Sequence, residues 1–242
     1  MTNFSWISTL KTNLVMFKIV GLWPSGENYK RDFYTLYMVV SITLCLVVHS
    51  VFYTVEVLLL FGSDVKLLVR TIFLALTQTL ALIKSCFFVV NLKRLKQLMV
   101  VMESEVFQPQ SSEQWNKIKP KLRFCNTANR AFLVMVYLTL TLFLLLPVVT
   151  NLTKNYILPF HGWYPWYTGR SPAYEMTYFF QSVSLIFRST TTVGVDTFIT
   201  ALNTYVATQC ILLCDTLQNL KLKGSSHEKL KRSFLHYNQI LR

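Results

Sequence analysis

Four long apolar runs divide the chain, separated by more polar connectors. A helix that crosses a bilayer needs roughly 20 mostly apolar residues. Residues 33–55, 71–92 and 131–149 each supply such a run, and a fourth starts near Met176. The fourth is unusual, because helix-compatible sequence continues to about Leu220, which at 1.5 Å per residue is roughly 65 Å. The pattern predicts an all-α membrane protein with four transmembrane helices, some of which extend into the cytoplasm.

Lysine and arginine residues alternate between dense and sparse connectors, and they accumulate in short loops on the cytoplasmic side of a membrane. Eight of them lie in the second connector and six follow Leu220, whereas the first and third connectors hold two each. The N-terminal segment is also basic. We therefore predict a cytoplasmic N-terminus, with connectors one and three outside the cell.

These patterns predict three regions along the chain. Residues 1–32 form a cytoplasmic segment with an interfacial helix, whose apolar face holds Phe4, Leu10 and Phe17. Residues 33–220 hold the four spans and their connectors. Residues 221–242 form a basic cytoplasmic connector, after which the chain is expected to be truncated.

Apolar residues also recur in the parts of the chain that should leave the membrane. After the second run, Leu95, Leu98 and Met102 recur at helical spacing before Pro109. Along the fourth run, a seven-residue period predicts a seam that packs against partner helices. That seam consists of Ile199, Leu202, Val206, Gln209, Leu213, Thr216 and Leu220. We expect these extensions to bundle together.

Composition agrees with a polytopic membrane protein, since 52% of the residues are hydrophobic and 14% are charged. The net charge of +13 is divided between apolar runs. A nucleic-acid partner is not predicted, because it would require one basic face with accessible aromatic residues. The sequence has no Gly-rich phosphate loop, no HExxH motif and no Cys and His set at metal-ligand spacing. We therefore predict neither an enzyme nor a cofactor or metal site.

Two charged residues lie in the fourth run. Arg188 is about 12 residues into the run, roughly 18 Å deep, where a charge costs at least ~2.5 kcal/mol and should face a cavity or a partner. Asp196 lies about two turns further on, rotated about 80° around the helix, too far for a direct ion pair on a straight helix. Structural anchoring and a gating or ligand role both stay open for these residues.

The connector before the fourth run is rich in aromatic residues and proline. Residues 158–181 read LPFHGWYPWYTGRSPAYEMTYFFQ, and Trp and Tyr favour the membrane–water boundary. The preceding sequon, Asn151-Leu152-Thr153, is a predicted glycosylation site on the outer side.

This aromatic connector resembles the second extracellular loop of insect odorant receptors. Three other elements resemble segments of that family and occur in the same order along the chain: Gly21-Leu22-Trp23-Pro24 before the first span, Gly194-Val195-Asp196-Thr197-Phe198 in the fourth, and Tyr237-Asn238-Gln239-Ile240-Leu241 near the end.

The resemblance implies a subunit of an odorant-gated, nonselective cation channel of the cell membrane. Such subunits have seven helices and assemble with an odorant co-receptor into a hetero-tetramer. Their odorant pocket lies among spans two, three, four and six, and their seventh span lines the pore. This chain would therefore supply part of a pocket wall but no pore.

The outer halves of spans two to four offer apolar and aromatic side chains with few hydroxyl groups, which suits small volatile ligands held by shape and dispersion. The candidates are Phe73, Leu76, Thr77, Phe143, Leu146, Phe180, Ser184 and Phe187. Each could instead face lipid. Three alternatives stay open: a gustatory receptor relative, a truncated non-conducting product, and a secondary transporter, although the sequence shows none of a transporter's inverted repeats.

Overall fold

The computed structural model of the protein describes residues 5–24, 26, 32–62, 65–151, 158–223 and 227–241. These residues form helices joined by irregular segments, which confirms the all-α prediction. The helices are α1 (Lys11–Ile19), α2 (Phe33–Ile42), α3 (His49–Leu59), α4 (Val65–Val90), α5 (Leu92–Met102), α6 (Ser112–Asn151), α7 (Ala173–Lys223) and α8 (His227–Leu241). Short 3-10 turns at Trp6–Leu10 and Glu105–Phe107 precede α1 and follow α5.

Four helical stretches within the described residues are long and apolar enough to cross a membrane, as predicted. They are α2 through α3, α4, the apolar part of α6, and α7. In the first span, α2 and α3 are joined by a π-helical segment, Thr43–Val48. Its wider turn places one extra residue within the helix. The spacing of apolar residues did not predict this π-helical segment, because the segment is only six residues long.

Two helices are much longer than a bilayer requires. At 1.5 Å per residue, α6 with 40 residues and α7 with 51 residues span roughly 60 and 76 Å, against a hydrocarbon core of about 30 Å. The sequence predicted the long α7. It did not predict the start of α6 at Ser112, where the Gln114 amide nitrogen donates to Ser111 Oγ at 3.2 Å and caps the helix.

Contacts divide the chain into two compact units. We call Met1–Leu14, Arg94–Phe132 and Asp196–Arg242 the extension unit, and Val15–Lys93 and Leu133–Val195 the span unit.

In the extension unit, the buried face of α7 differs from the predicted seam. Its buried residues include Ala201, Tyr205, Thr208, Leu212 and Asp215. The predicted seam residues Ile199 and Val206 are 49% and 47% exposed. The prediction is therefore wrong at Ile199 and Val206, where the preceding residue is buried instead, and right at Gln209 and Leu213, which are buried.

The buried face of α7 is partly polar, and its polar side chains have partners. Asp215 forms an ion pair with Lys117 of α6. The Gln209 side-chain nitrogen donates to the Phe107 carbonyl at 3.2 Å, and Gln209 Oε1 lies 3.1 Å from His236 Nε2 of α8. Apolar periodicity cannot separate Phe198 and Tyr205 from Ile199 and Val206, because both pairs are apolar and both are seven residues apart. Helix α8 itself occupies residues that were predicted to form a connector.

In the span unit, α1 ends in a tight turn at Gly21. The φ angle of Gly21 is +78°, and the Leu22 amide donates to the Phe17 carbonyl at 2.8 Å, as in a helix C-terminal cap. A Cβ atom at Gly21 would lie 3.0 Å from Met38 Cα. Glycine is therefore required both for the backbone angle and for the approach to α2. Phe17 is buried, whereas Val15 and Ile19 of the same helix are exposed.

Candidate functional site

The aromatic connector is held against α7 by one buried amide side chain. Gln181 Oε1 accepts a hydrogen bond from the Phe160 amide at 3.1 Å, and Gln181 Nε2 donates to the Phe160 carbonyl at 3.0 Å and to Tyr164 OH at 2.7 Å. Trp166 Nε1 donates to Thr177 Oγ1 at 2.8 Å. Gln181 and Thr177 are both fully buried. The conformation of the connector is therefore fixed by side chains of the helix that follows it.

The connector also contacts the end of the first span. His161 Nδ1 lies 2.8 Å from Glu56 Oε1. The Phe52 ring meets the rings of Trp163, Tyr164 and Trp166 edge-to-face, at centroid distances of 6.1, 5.2 and 6.0 Å. Each such pair contributes about 0.5–1.5 kcal/mol beyond its buried area.

Tyr164, at the centre of these contacts, is a neutral phenol at ordinary pH. Burial raises the pKa of Tyr164 to about 12, and the hydrogen bond from Gln181 opposes that rise. A neutral Tyr164 OH keeps its donor hydrogen while it accepts the bond from Gln181.

Beneath the connector lies an apolar groove of about 440 Å³. Its walls come from the first span, the connector and α7: Leu44, Val48, Phe52, Trp166, Ala173, Met176 and Phe180. The π-helical segment supplies Leu44 and Val48. Small-molecule sites typically occupy about 300–1,000 Å³, so the groove is large enough for a small ligand.

Next to the groove is a buried set of four polar side chains, His49, Tyr53, Gln78 and Ser184, which we call the polar node. All four are at most 1% exposed. His49 Nδ1 lies 2.7 Å from Gln78 Nε2. The His49 ring also meets the Phe180 ring edge-to-face at 5.3 Å, and Phe180 lines the groove. The node therefore lies behind one wall of the groove.

The structure divides the eight predicted ligand residues into inward-facing and exposed groups. Phe180 lines the groove, and Ser184 and Phe187 are buried. Phe143 is partly exposed and stacks on Phe160 at 4.8 Å. The remaining four lie on α4 and α6: Phe73, Leu76 and Leu146 are exposed, and Thr77 is half-buried.

The other predicted site residues lie apart from the groove. Arg188 is half-buried in the span unit, with its guanidinium carbon 6.0 Å from the centroid of the Phe160 ring. Asp196 is half-buried in the extension unit. Asn151 is the last residue of α6, and the rest of its sequon lies outside the described residues.

Sequence reasoning missed several residues of this site: Phe52, Trp166, His49, Gln78 and Gln181. A signal for the last three was present, because each is a polar side chain within an apolar run, where it needs a partner. Within the described ranges, no group of three or more His, Cys, Asp or Glu side chains could hold a metal ion.

A sequence model of the family described as 7tm Odorant receptor matches residues 64–242, most of the chain. The chain belongs to the odorant receptor family. Together with its four apolar helices, this membership makes it a multi-pass membrane protein.

Solved structures show the same fold. The insect olfactory receptor OR5 from Machilis hrabei in complex with eugenol matches this odorant receptor chain with a TM-score of 0.81 and 18% identity. A second structure of that receptor matches with a TM-score of 0.79 and 18% identity. Each match covers 98% of this chain and 64% of the Machilis receptor, so the chain spans less than two thirds of its length. No protein of curated function matches the sequence.

Proposed function

We propose that this chain is an odorant receptor subunit that binds small volatile hydrophobic ligands. With an odorant co-receptor in a hetero-tetramer of the cell membrane, it gates a nonselective cation channel. The observation that carries the proposal is the apolar groove under the aromatic connector, in a chain of the odorant receptor family. The complex of the Machilis receptor with eugenol supports ligand binding by this fold.

The groove suits a weakly bound volatile molecule. Its wall is almost entirely carbon, so shape and dispersion supply most of the binding free energy. A ligand of about ten heavy atoms at ~0.6 kcal/mol per atom would bind with ~6 kcal/mol, which corresponds to roughly tens of micromolar. Affinity in this range allows release when the ligand concentration falls.

Phe180 is the proposed central contact, because it was predicted from the sequence and lines the groove. The exposed set Phe73, Leu76 and Leu146, with Thr77 and Phe143, is proposed as a further ligand-facing wall. Arg188 is proposed to position the connector through Phe160, and Asp196 to act in anchoring or gating. Asn151 is proposed as a glycosylation site on the outer side.

The ligand proposal is tested on the full chain in lipid nanodiscs, by quenching of tryptophan fluorescence during odorant titration. Phe180→Ala removes a ring from the groove and should weaken binding about tenfold, or ~1.4 kcal/mol. Phe179→Ala is the matched control, because the neighbouring ring is 70% exposed and does not line the groove. Equal effects of the two substitutions would contradict the placement of the ligand.

Gating is tested separately, by recording odorant-evoked cation current from cells that express the chain with a co-receptor. A current that requires the chain, and a dose-response curve that Phe180→Ala shifts to higher concentration, are expected. Odorant binding without any chain-dependent current would contradict the gating role and leave the binding role intact.

A further inference from the structure

The polar node has unused hydrogen-bonding capacity. Among the described residues, His49 Nε2, Tyr53 OH, Gln78 Oε1 and Ser184 Oγ are buried and make no hydrogen bond. Ser184 Oγ lies beside the thiol of Cys45, which is only a weak partner. Buried polar atoms in folded proteins nearly always have a protein or water partner. Three unbonded atoms and one weakly bonded hydroxyl, on side chains from three spans, therefore indicate an occupant.

The bonding pattern of the node defines what the occupant must offer. With the Gln78 side-chain nitrogen donating to His49 Nδ1, the proton of the His49 ring is on Nε2, which is then a donor. Gln78 Oε1 is an acceptor, and the hydroxyl groups of Tyr53 and Ser184 can act in either role. An occupant that serves both His49 and Gln78 must accept one hydrogen bond and donate another. A hydroxyl group does both with one oxygen atom.

The surroundings of the node give an occupant a route of access. Phe180 touches the His49 ring and also lines the groove. A molecule whose carbon body occupies the groove would therefore need only a rotation of Phe180 to reach the node with a polar end.

We propose that the polar node is a binding site for a hydroxyl group. Water supplies the group when the groove is empty, and an alcohol or phenol ligand supplies it when the groove is occupied. The second source rests on the proposed odorant-binding function, whereas the first does not. The node would then favour alcohols over hydrocarbons of the same shape.

The water arm uses X-ray radiolysis of the full chain in nanodiscs with ¹⁸O-labelled water, which marks side chains beside bound water. Tyr53 and Tyr164 form a matched pair, because they are 1% and 8% exposed but only Tyr164 OH is hydrogen-bonded within the protein. Tyr53 should take up label several-fold faster than Tyr164. Labelling of Tyr53 no faster than that of Tyr164 would overturn the water site.

The ligand arm compares a primary alcohol with the alkane of the same length in the nanodisc titration. The wild-type chain should bind the alcohol more tightly, and the double substitution of His49→Leu with Gln78→Leu should remove the difference while alkane binding persists. Binding of neither compound would contradict the proposed odorant function but not the water site. Labelling of Tyr53 with equal affinity for both compounds would assign the node to water and reject the ligand source.

A conservative substitution checks the node without disturbing the fold. Tyr53→Phe removes one oxygen atom and keeps the ring that packs on His49. If the node holds an occupant, the substitution should lower the melting temperature. A raised melting temperature would show that the hydroxyl is an unsatisfied group in a dry core, and would overturn the proposal.

Discussion

Gln181 is a polar residue in an apolar run, and its side chain holds the aromatic connector in place. Its amide binds both backbone groups of Phe160 and the hydroxyl of Tyr164 while fully buried. A lone glutamine in such a run is costly, because the bilayer offers no water to bond it. Its three hydrogen bonds offset that cost and fix the connector above the groove.

Replacing Gln181 with Leu should lower the free energy of unfolding of the chain in detergent by about 2 kcal/mol, because it leaves buried groups of Phe160 and Tyr164 unbonded. Thermal or denaturant unfolding measures the change. Gln218→Leu is the control, since Gln218 lies on the same helix and is exposed. Equal stability of the two variants would mean that the connector does not depend on Gln181.

Gly194 is a second residue whose role depends on packing. A Cβ atom at this position would lie 3.1 Å from Cε1 of the buried Phe17 ring. Phe17 is confined by Phe88 at a centroid distance of 4.3 Å. The glycine therefore allows α7 and α1 to approach closely within the span unit.

Gly194→Ala should destabilise the chain by about 1–3 kcal/mol, the usual cost of overpacking a core. The double variant with Phe17→Leu tests the cause, because a smaller side chain at 17 makes room for the added methyl group. The two substitutions together should cost less than the sum of their separate effects in unfolding experiments. Strict additivity would show that the methyl group meets something other than Phe17.

At the scale of elements, α7 combines two different surfaces. In the span unit its inward residues meet the connector and the groove. In the extension unit its buried face carries Thr208, Gln209 and Asp215 between apolar neighbours. Hydrogen bonds and an ion pair let polar residues occupy that face, so this part of the helix is held by specific partners as well as by apolar burial.

Two substitutions in α7 compare the stability contribution of a residue on the observed buried face with that of an exposed residue that the sequence placed in the seam. Leu212→Ala should cost about 2–5 kcal/mol, because Leu212 is buried in the observed seam. Val206→Ala, on the face predicted from the sequence, should change stability by less than about 0.5 kcal/mol. Unfolding curves for both variants measure the difference. The reverse order of effects would show that Val206 belongs to the buried seam after all.

Sequence alone could predict where the helices lie along the chain better than which side of each helix is buried. Span lengths follow from the thickness of the bilayer, so the apolar runs located all four spans. Rotation about each helix axis depends on partners that are distant in sequence, and so the predicted seam included the exposed residues Ile199 and Val206. The pairing of His49 with Gln78, 29 residues away, could not be predicted for the same reason.

At the scale of the whole molecule, orientation in the membrane is the principal feature that charge predicts. Family membership and the helical fold are established by the comparisons and the structure. The cytoplasmic N-terminus remains a prediction from the distribution of Lys and Arg. The orientation of the chain decides whether the aromatic connector lies outside or inside the cell.

Epitope tags test this orientation in the full chain. One tag is placed at the N-terminus and another after Gly62, which has open space around its backbone. Antibody should label the Gly62 tag on intact cells and the N-terminal tag only after permeabilisation. Labelling in the opposite order would invert the predicted topology and place the aromatic connector inside the cell.

The hydrogen bonds of Gln181 have a practical consequence for chimeric receptors. A graft that moves only the loop, residues 158–172, into another receptor would leave its partner Gln181 behind in the helix of the donor. The smallest transferable module is therefore 158–181, which carries Phe160, Tyr164 and Gln181 together. A module cut at that boundary should carry its hydrogen bonds to a new host, where the first span must supply the contacts that Phe52 and Glu56 make here.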